Sequence, residues 1–246
     1  MFDSSNNMAG ESNYLNVPGV NGHRENVTLR SPQPQTFRAA VQHTAGTGTT
    51  QNVYGTVELT RVQYPDLVDL SSLSATDLAQ IDLSFLTNVM LSDGKRFRPG
   101  SAVTRIDLAE GLLRTGRVPQ FVASHPLFSD VRELEPRNAV ESVQSYSGGR
   151  LVYDASPGGR YYPNDTASKL VTAIALVRAA GLSSAASTAT LPLTVTDTAS
   201  IPSSLRGYVA VALQNGFLKL DGNQFNPTRS VTRLELVIGL NRLVNN

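Results

Sequence analysis

Apolar residues recur at helical spacing over most of the chain, and one arrangement of them occurs three times. Phe97 to Arg114 reads F-R-P-G-S-A-V-T-R-I-D-L-A-E-G-L-L-R, and Phe225 to Arg242 reads F-N-P-T-R-S-V-T-R-L-E-L-V-I-G-L-N-R. Between them, Tyr161 to Arg178 reads Y-Y-P-N-D-T-A-S-K-L-V-T-A-I-A-L-V-R. The three align without a gap and start 64 residues apart, at 97, 161 and 225. A fixed period of this size predicts one structural unit used three times and packed on its neighbours.

In each copy an aromatic residue and a proline two positions later predict a fixed turn. Thr104, Ser168 or Thr232 follows as a helix N-cap. Asp107 and Glu235 stand three residues past the two threonines, the capping-box spacing in which cap and acid satisfy each other's backbone N–H groups. The middle copy has Val171 there and is degenerate. Ile106, Ala109, Leu112 and Leu113 in the first copy, and Leu234, Val237 and Leu240 in the third, form the apolar stripe of the helix.

Each unit opens on an aspartate, taken as Asp66, Asp130 and Asp197. The first two precede their loop aromatic by 31 residues and Asp197 by 28, which implies a short deletion in the third unit. A first helix follows. Ser74 to Asp77 predicts a cap before Leu78, Ile81, Phe85 and Val89; Pro136 suits an early helical position before Val140 and Val143; Ile201 to Ser204 leads into Leu205, Tyr208, Val209, Ala212 and Leu213. Asp-Gly turns at Gly94 and Gly222 call for positive φ. Segments 114–127 and 179–194 read as linkers. Ahead of the repeats, residues 1–24 read as a lead-in without periodicity. Residues 25–63 read as strands, with Val53 to Val62 the clearest alternation. Three strands are close to the minimum for an independent sheet, so 25–63 is expected to be the remnant of a β domain. The units run over 64–114, 128–178 and 195–244, and the fold expected is mainly α, a pseudo-threefold bundle of helix-loop-helix repeats behind a small β segment.

Charge and composition narrow the function. A net charge of +1 argues against a nucleic-acid footprint. Cysteine is absent, which removes disulfides, thiolate nucleophiles and cysteine metal sites. No window approaches the roughly 18 apolar residues of a membrane span. Met1 to Gly10 carries neither a basic nor an apolar leader region, so the chain is expected to be cytoplasmic or the C-terminal part of a longer secreted protein. His23, His43 and His125 bear no repeated relation to a serine or an acid, and the motifs G-x-S-x-G, P-loop and H-x-x-x-H are missing. No catalytic residue, metal or cofactor is assigned.

F-x-D-V, a helix, G-x-x-x-x-D-G-x-x-F-x-P, V-T-R-x-E and a second helix together resemble the S-layer homology repeat. Phe128 to Val131 and Val231 to Glu235 carry the resemblance most closely, and it extends over about 64–244. It implies a triplet whose T-R-x-E helices gather centrally, with grooves between units that bind secondary cell-wall polysaccharide, often pyruvylated. Similar triplets end bacterial surface proteins and secreted subtilisin-like peptidases, and residues 10–18 with the β segment resemble the region before such a triplet. The chain departs from the family in lacking Trp, in Ser168-Lys169 for Thr-Arg, and in the longer period. The resemblance implies a non-catalytic attachment module on the cell surface or envelope, its signal peptide and any peptidase domain lying upstream. The alternative is a structural cap that docks on the parent peptidase without binding glycan.

Arg105, Lys169 and Arg233 occupy the first helical position, where a cation opposes the helix dipole. Two readings stand. Each captures a glycan anion together with free N–H groups at the helix start, or each pairs with an acid of a neighbouring unit, with Asp66, Asp130 and Asp197 the candidates. Those aspartates themselves could contact ligand, cap a helix or pair with arginine. Phe97, Tyr161 and Phe225 could stack on sugar or plug the core below the loop.

Overall fold

A computed structural model describes residues 67–245 and Ser5. The 1–24 lead-in, the 25–63 β segment and Asp66 lie outside the described residues. Among those described the fold is mainly helical, with seven α-helices: α1 (Ala75–Leu86), α2 (Arg105–Arg114), α3 (Leu134–Gln144), α4 (Lys169–Ala179), α5 (Ser183–Thr188), α6 (Arg206–Gln214) and α7 (Arg233–Asn245). Two short 3₁₀ turns, Thr198–Ser200 and Ser203–Leu205, precede α6.

Helix pairing runs in a cycle. α2 packs on α3, α4 on α6, and α7 returns to α1. α2, α4 and α7 also touch one another at the centre. Their close approach depends on small residues in register. Gly111, Ala175 and Gly239 are 64 residues apart. A Cβ on Gly111 would lie 2.7 Å from Leu240 of α7, and one on Gly239 would lie 2.7 Å from Leu176 of α4. The core is continuous through Ile81, Leu108, Leu112, Val143, Ile174, Leu176, Val209 and Leu240, all fully buried.

Backbone hydrogen bonds close the same cycle. Val103 N–H donates to Val231 O, Val231 N–H to Ala167 O, and Ala167 N–H to Val103 O, at 2.9, 3.0 and 2.9 Å. These residues precede the caps Thr104, Ser168 and Thr232, so each closure sits directly before a central helix.

Two expectations change. The 179–194 segment is not a plain linker, because it contains α5, the helix beyond the six expected. Its alanines favour helix, and Ala186 is buried against α6. Gly207 makes that crossing possible, since a Cβ there would fall 1.8 Å from the Ala186 carbonyl oxygen. The 114–127 segment is irregular but fixed. Buried Glu141 on α3 accepts from the N–H groups of Ala123 and Leu127 at 2.7 and 3.0 Å, and Ser142 Oγ accepts from Phe121 N–H at 2.7 Å.

Gly207→Ala should destabilise the fold by about 1–3 kcal/mol, the range for forcing atoms into a packed contact. Gly100→Ala, where nothing lies within 4 Å of the added carbon, serves as the control. Thermal melts of both variants check this; equal melting temperatures would contradict the crossing.

Candidate functional site

The repeated loops define the candidate site. Every loop is anchored by one carboxylate that accepts two successive backbone N–H groups. Asp130 takes Tyr161 and Tyr162 at 2.8 and 2.9 Å. Asp197 takes Phe225 and Asn226 at 2.8 and 2.7 Å. In the first unit the anchor is Asp69, not Asp66, and it takes Phe97 and Arg98 at 3.0 and 2.6 Å. Asp69 stands 28 residues before Phe97, the spacing of the third unit, so the second unit carries the insertion. The second residue of each pair, Arg98, Tyr162 or Asn226, is held in the left-handed region at φ 56–57°. Such strain persists only where the surroundings impose it, and the paired acceptor oxygens do so here.

Beneath each loop the aromatic is a core plug. Phe97, Tyr161 and Phe225 are all fully buried. Phe97 meets Phe85 and Tyr161 meets Phe128 edge to face at 5.9 and 5.3 Å. None presents a ring to a sugar in this conformation.

The starts of α2 and α7 leave no N–H free, and the start of α4 leaves only the Ser168 N–H without an acceptor among the described residues. Thr104 and Asp107 form a complete capping box. Glu235 Oε2 accepts from Thr232 N–H at 2.9 Å while Thr232 Oγ1 accepts from Glu235 N–H at 3.2 Å. Ser168 Oγ accepts from Val171 N–H at 3.2 Å. The remaining donors go to the next unit. Arg105 and Ile106 donate to Asp165 O and Pro163 O; Lys169 and Leu170 to Arg229 O and Pro227 O; Arg233 and Leu234 to Ser101 O and Pro99 O. At α2 and α7 the cap residues and the adjacent loops thus satisfy all four orphan donors; at α4, where Val171 replaces the acid, the Ser168 N–H is the one left over.

The three cations follow the same cyclic rule, each crossing to the next unit and lying over its loop aromatic. Arg105 is 5.1 Å from the Tyr161 ring centre, Lys169 is 5.3 Å from Phe225, and Arg233 is 5.1 Å from Phe97. Their polar partners differ. Arg105 donates to Tyr161 O at 2.8 Å and to both oxygens of Asp154 at 3.0 Å. Lys169, completely buried, reaches Asp221 at 3.1 Å. The acids that meet Arg105 and Lys169 are thus Asp154 and Asp221, and not Asp130 or Asp197. Arg233 donates to Phe97 O and Leu91 O, both at 2.7 Å. Among the described residues no carboxylate lies within ion-pair distance of it. Burial lowers its pKa, with Asp107, Asp93 and Asp69 near enough to counteract in part. It borders a crevice of about 110 Å³ lined by Val89, Leu91, Asp107, Glu110, Gly111 and Arg114.

Sequence reasoning missed Asp69, Asp154, Asp221 and Arg229. Asp69 was accessible from the period, since it precedes Asp197 by 128 residues, twice 64. Arg229 bridges Asp221 and Glu235 at 2.9 and 2.6 Å, and a lone arginine in a turn gives no sequence signal for that. His125 lies in a loop beside Ser124. His23 and His43 are outside the described residues. Among the described residues no group of three or more His, Asp and Glu could hold a metal, and no helix is long and apolar enough to cross a membrane.

Residues 196–237 match the family model of the S-layer homology domain. The matched stretch runs from the start of the third unit through Asp197, Asp221, Phe225 and the cap Thr232-Arg233-Leu234-Glu235. That family is a non-catalytic anchoring domain, and the match supports a module for cell-surface attachment. No curated protein matches the chain.

Four carboxylates of this region lie below their ordinary range. Burial by itself would raise each one, but hydrogen bonds outweigh it. The donors are Phe97 and Arg98 N–H at Asp69, Tyr161 and Tyr162 N–H at Asp130, Asn226, Lys169 and Arg229 at Asp221, and Arg229 with Thr232 N–H at Glu235. A depressed folded-state pKa means stability that is complete above the unfolded value and is lost as pH falls through the folded one. Asp82, raised by burial, works in the opposite direction. The melting temperature should hold from neutrality to about pH 5 and fall below about pH 4. Asp221→Asn should melt lower at neutral pH and show a shallower acid limb. A melting temperature unchanged at about pH 3 would contradict these assignments.

Proposed function

We propose that residues 67–245 form three S-layer homology-type repeats closed about a pseudo-threefold axis. In this reading the chain is the non-catalytic attachment module of a larger secreted protein, holding it on cell-envelope polysaccharide. Its working groove lies where the third unit meets the first. The observation that carries this is the difference among the three cations. Asp154 neutralises Arg105, and Asp221 neutralises Lys169 in a fully buried position. Arg233 keeps its charge with carbonyl partners alone, beside a crevice. A desolvated guanidinium with no carboxylate of the described residues at ion-pair distance suits an acidic sugar substituent such as a carboxylate or a pyruvyl ketal.

A second reading is favoured by a specific observation. The loop aromatics are buried, and all but one of the N–H groups at the central-helix starts are consumed internally. A triplet so occupied suits a stabilising cap docked on a parent domain, such as a subtilisin-like peptidase, without glycan.

Arg233→Lys distinguishes the two. Lysine keeps the charge and the stem but loses the planar fork. With glycan binding at this groove, affinity for purified envelope polysaccharide should fall about tenfold or more, the weight of one charge-assisted hydrogen bond. Arg105→Lys should bind as the parent does. Binding by none of them would support the cap, and equal affinity for all three would place the glycan site away from this groove.

A further inference from the structure

The first and third units build one tight turn four residues ahead of the loop aromatic. Asp93 N–H donates to Arg96 O at 2.8 Å and Arg96 N–H returns to Asp93 O at 3.1 Å. Asp221 and Gln224 make the same pair at 2.8 and 3.2 Å. A glycine follows each aspartate, Gly94 at φ 56° and Gly222 at φ 61°, and both have open space where a Cβ would stand. Among the described residues neither glycine N–H has an acceptor. Each turn therefore sets a carboxyl group beside an unhindered, unengaged amide nitrogen.

The two carboxyl groups differ in restraint. Asp221 is held by Lys169, Arg229 and Asn226 at 3.1, 2.9 and 3.1 Å, and Arg229 also binds its second oxygen at 3.2 Å. Asp93 has one partner, Arg98 at 2.8 Å, and both side chains are more than half exposed. An exposed pair of this kind contributes little and opens readily. A third pair, Asn215-Gly216, is closed, because Gly216 N–H donates to Leu213 O and Asn215 Nδ2 to Val211 O.

We propose that Asp93 is a site of spontaneous isoaspartate formation on the folded protein, and that its counterpart Asp221 is protected by its cations. The Gly94 amide nitrogen loses its proton and bonds to Cγ of the Asp93 carboxylic acid. The Cγ–OH bond breaks, water leaves, and a five-membered succinimide forms. Water then adds across one ring carbonyl. Opening at the main-chain carbonyl carbon leaves the peptide running through Cγ, and opening at Cγ restores aspartate. Mass is unchanged overall, and no oxidant or reductant takes part. The isoaspartyl link lengthens the backbone by one carbon inside a turn flanked by Leu91 and Phe97, whose carbonyls hold Arg233. Modification thus loosens the contact between the first and third units. The inference rests on the turn geometry and is independent of any glycan.

The experiment ages the full chain at neutral pH. Isoaspartate is labelled with the repair methyltransferase and located by peptide mapping, beside a urea-unfolded sample. In the folded chain the label should grow at Asp93 to several-fold above Asp221, and unfolding should bring the two sites together. Asp93→Glu should abolish the first signal. Asn226→Ala, which loosens Asp221 while leaving Lys169 in place, should raise the second. Equal labelling of both sites in the folded chain would overturn the proposal, as would an unlabelled Asp93 under conditions that label the unfolded chain.

Discussion

Everything described in this fold depends on how the starts of α2, α4 and α7 are satisfied. A helix start leaves four N–H groups without intrahelical partners. Here the unit's own cap residues take those of the cap and third positions at α2 and α7, and that of the third position alone at α4, where Val171 replaces the acid. The carbonyls of the next unit's loop take those of the first and second positions. No unit carries both halves of that arrangement. A buried N–H left without an acceptor costs about 1–3 kcal/mol, so separating two units would expose several such losses together. The loop is held in shape for this task by Asp69, Asp130 or Asp197, whose two oxygens fix a strained residue before the proline.

The same closure explains the cations at the first helical position. A positive charge there opposes the helix dipole, and each side chain leaves the helix start to lie on the aromatic of the loop that caps it. The cation and the backbone N–H of one residue thus engage the same neighbouring loop. The threefold rule then breaks at the acids. Asp154 and Asp221 meet the first two cations, whereas Asp93, the counterpart of Asp221, turns to Arg98 and leaves Arg233 with carbonyls. That asymmetry lets one interface differ in function from the other two.

Much of this was legible in the chain. The 64-residue period located the central helices, and the Thr-x-x-Asp/Glu spacing located their caps, because both are local patterns. The aspartate anchors are partly legible: Asp130 and Asp197 stand at the unit starts, but the 31-residue spacing of the unit that carries an insertion points to Asp66 and hides Asp69. The borrowed loop carbonyls were not legible, since any residue supplies a carbonyl. Nor were the partners Asp154 and Asp221, which lie in turns whose approach to the cations exists only after three units close. α5 was hidden because Ser and Ala read as linker until Gly207 permits a helix to lie against α6.

A ring closed in this way makes the stability of each unit depend on the other two. Native-state hydrogen exchange tests it most directly, read at the amides of Val103, Ala167 and Val231, which bond to one another in sequence around the centre. In a closed ring all three should exchange through one common opening, with the same free energy and the same dependence on denaturant. Separate openings, with one of these amides exchanging well before the others through loss of its own unit alone, would contradict it.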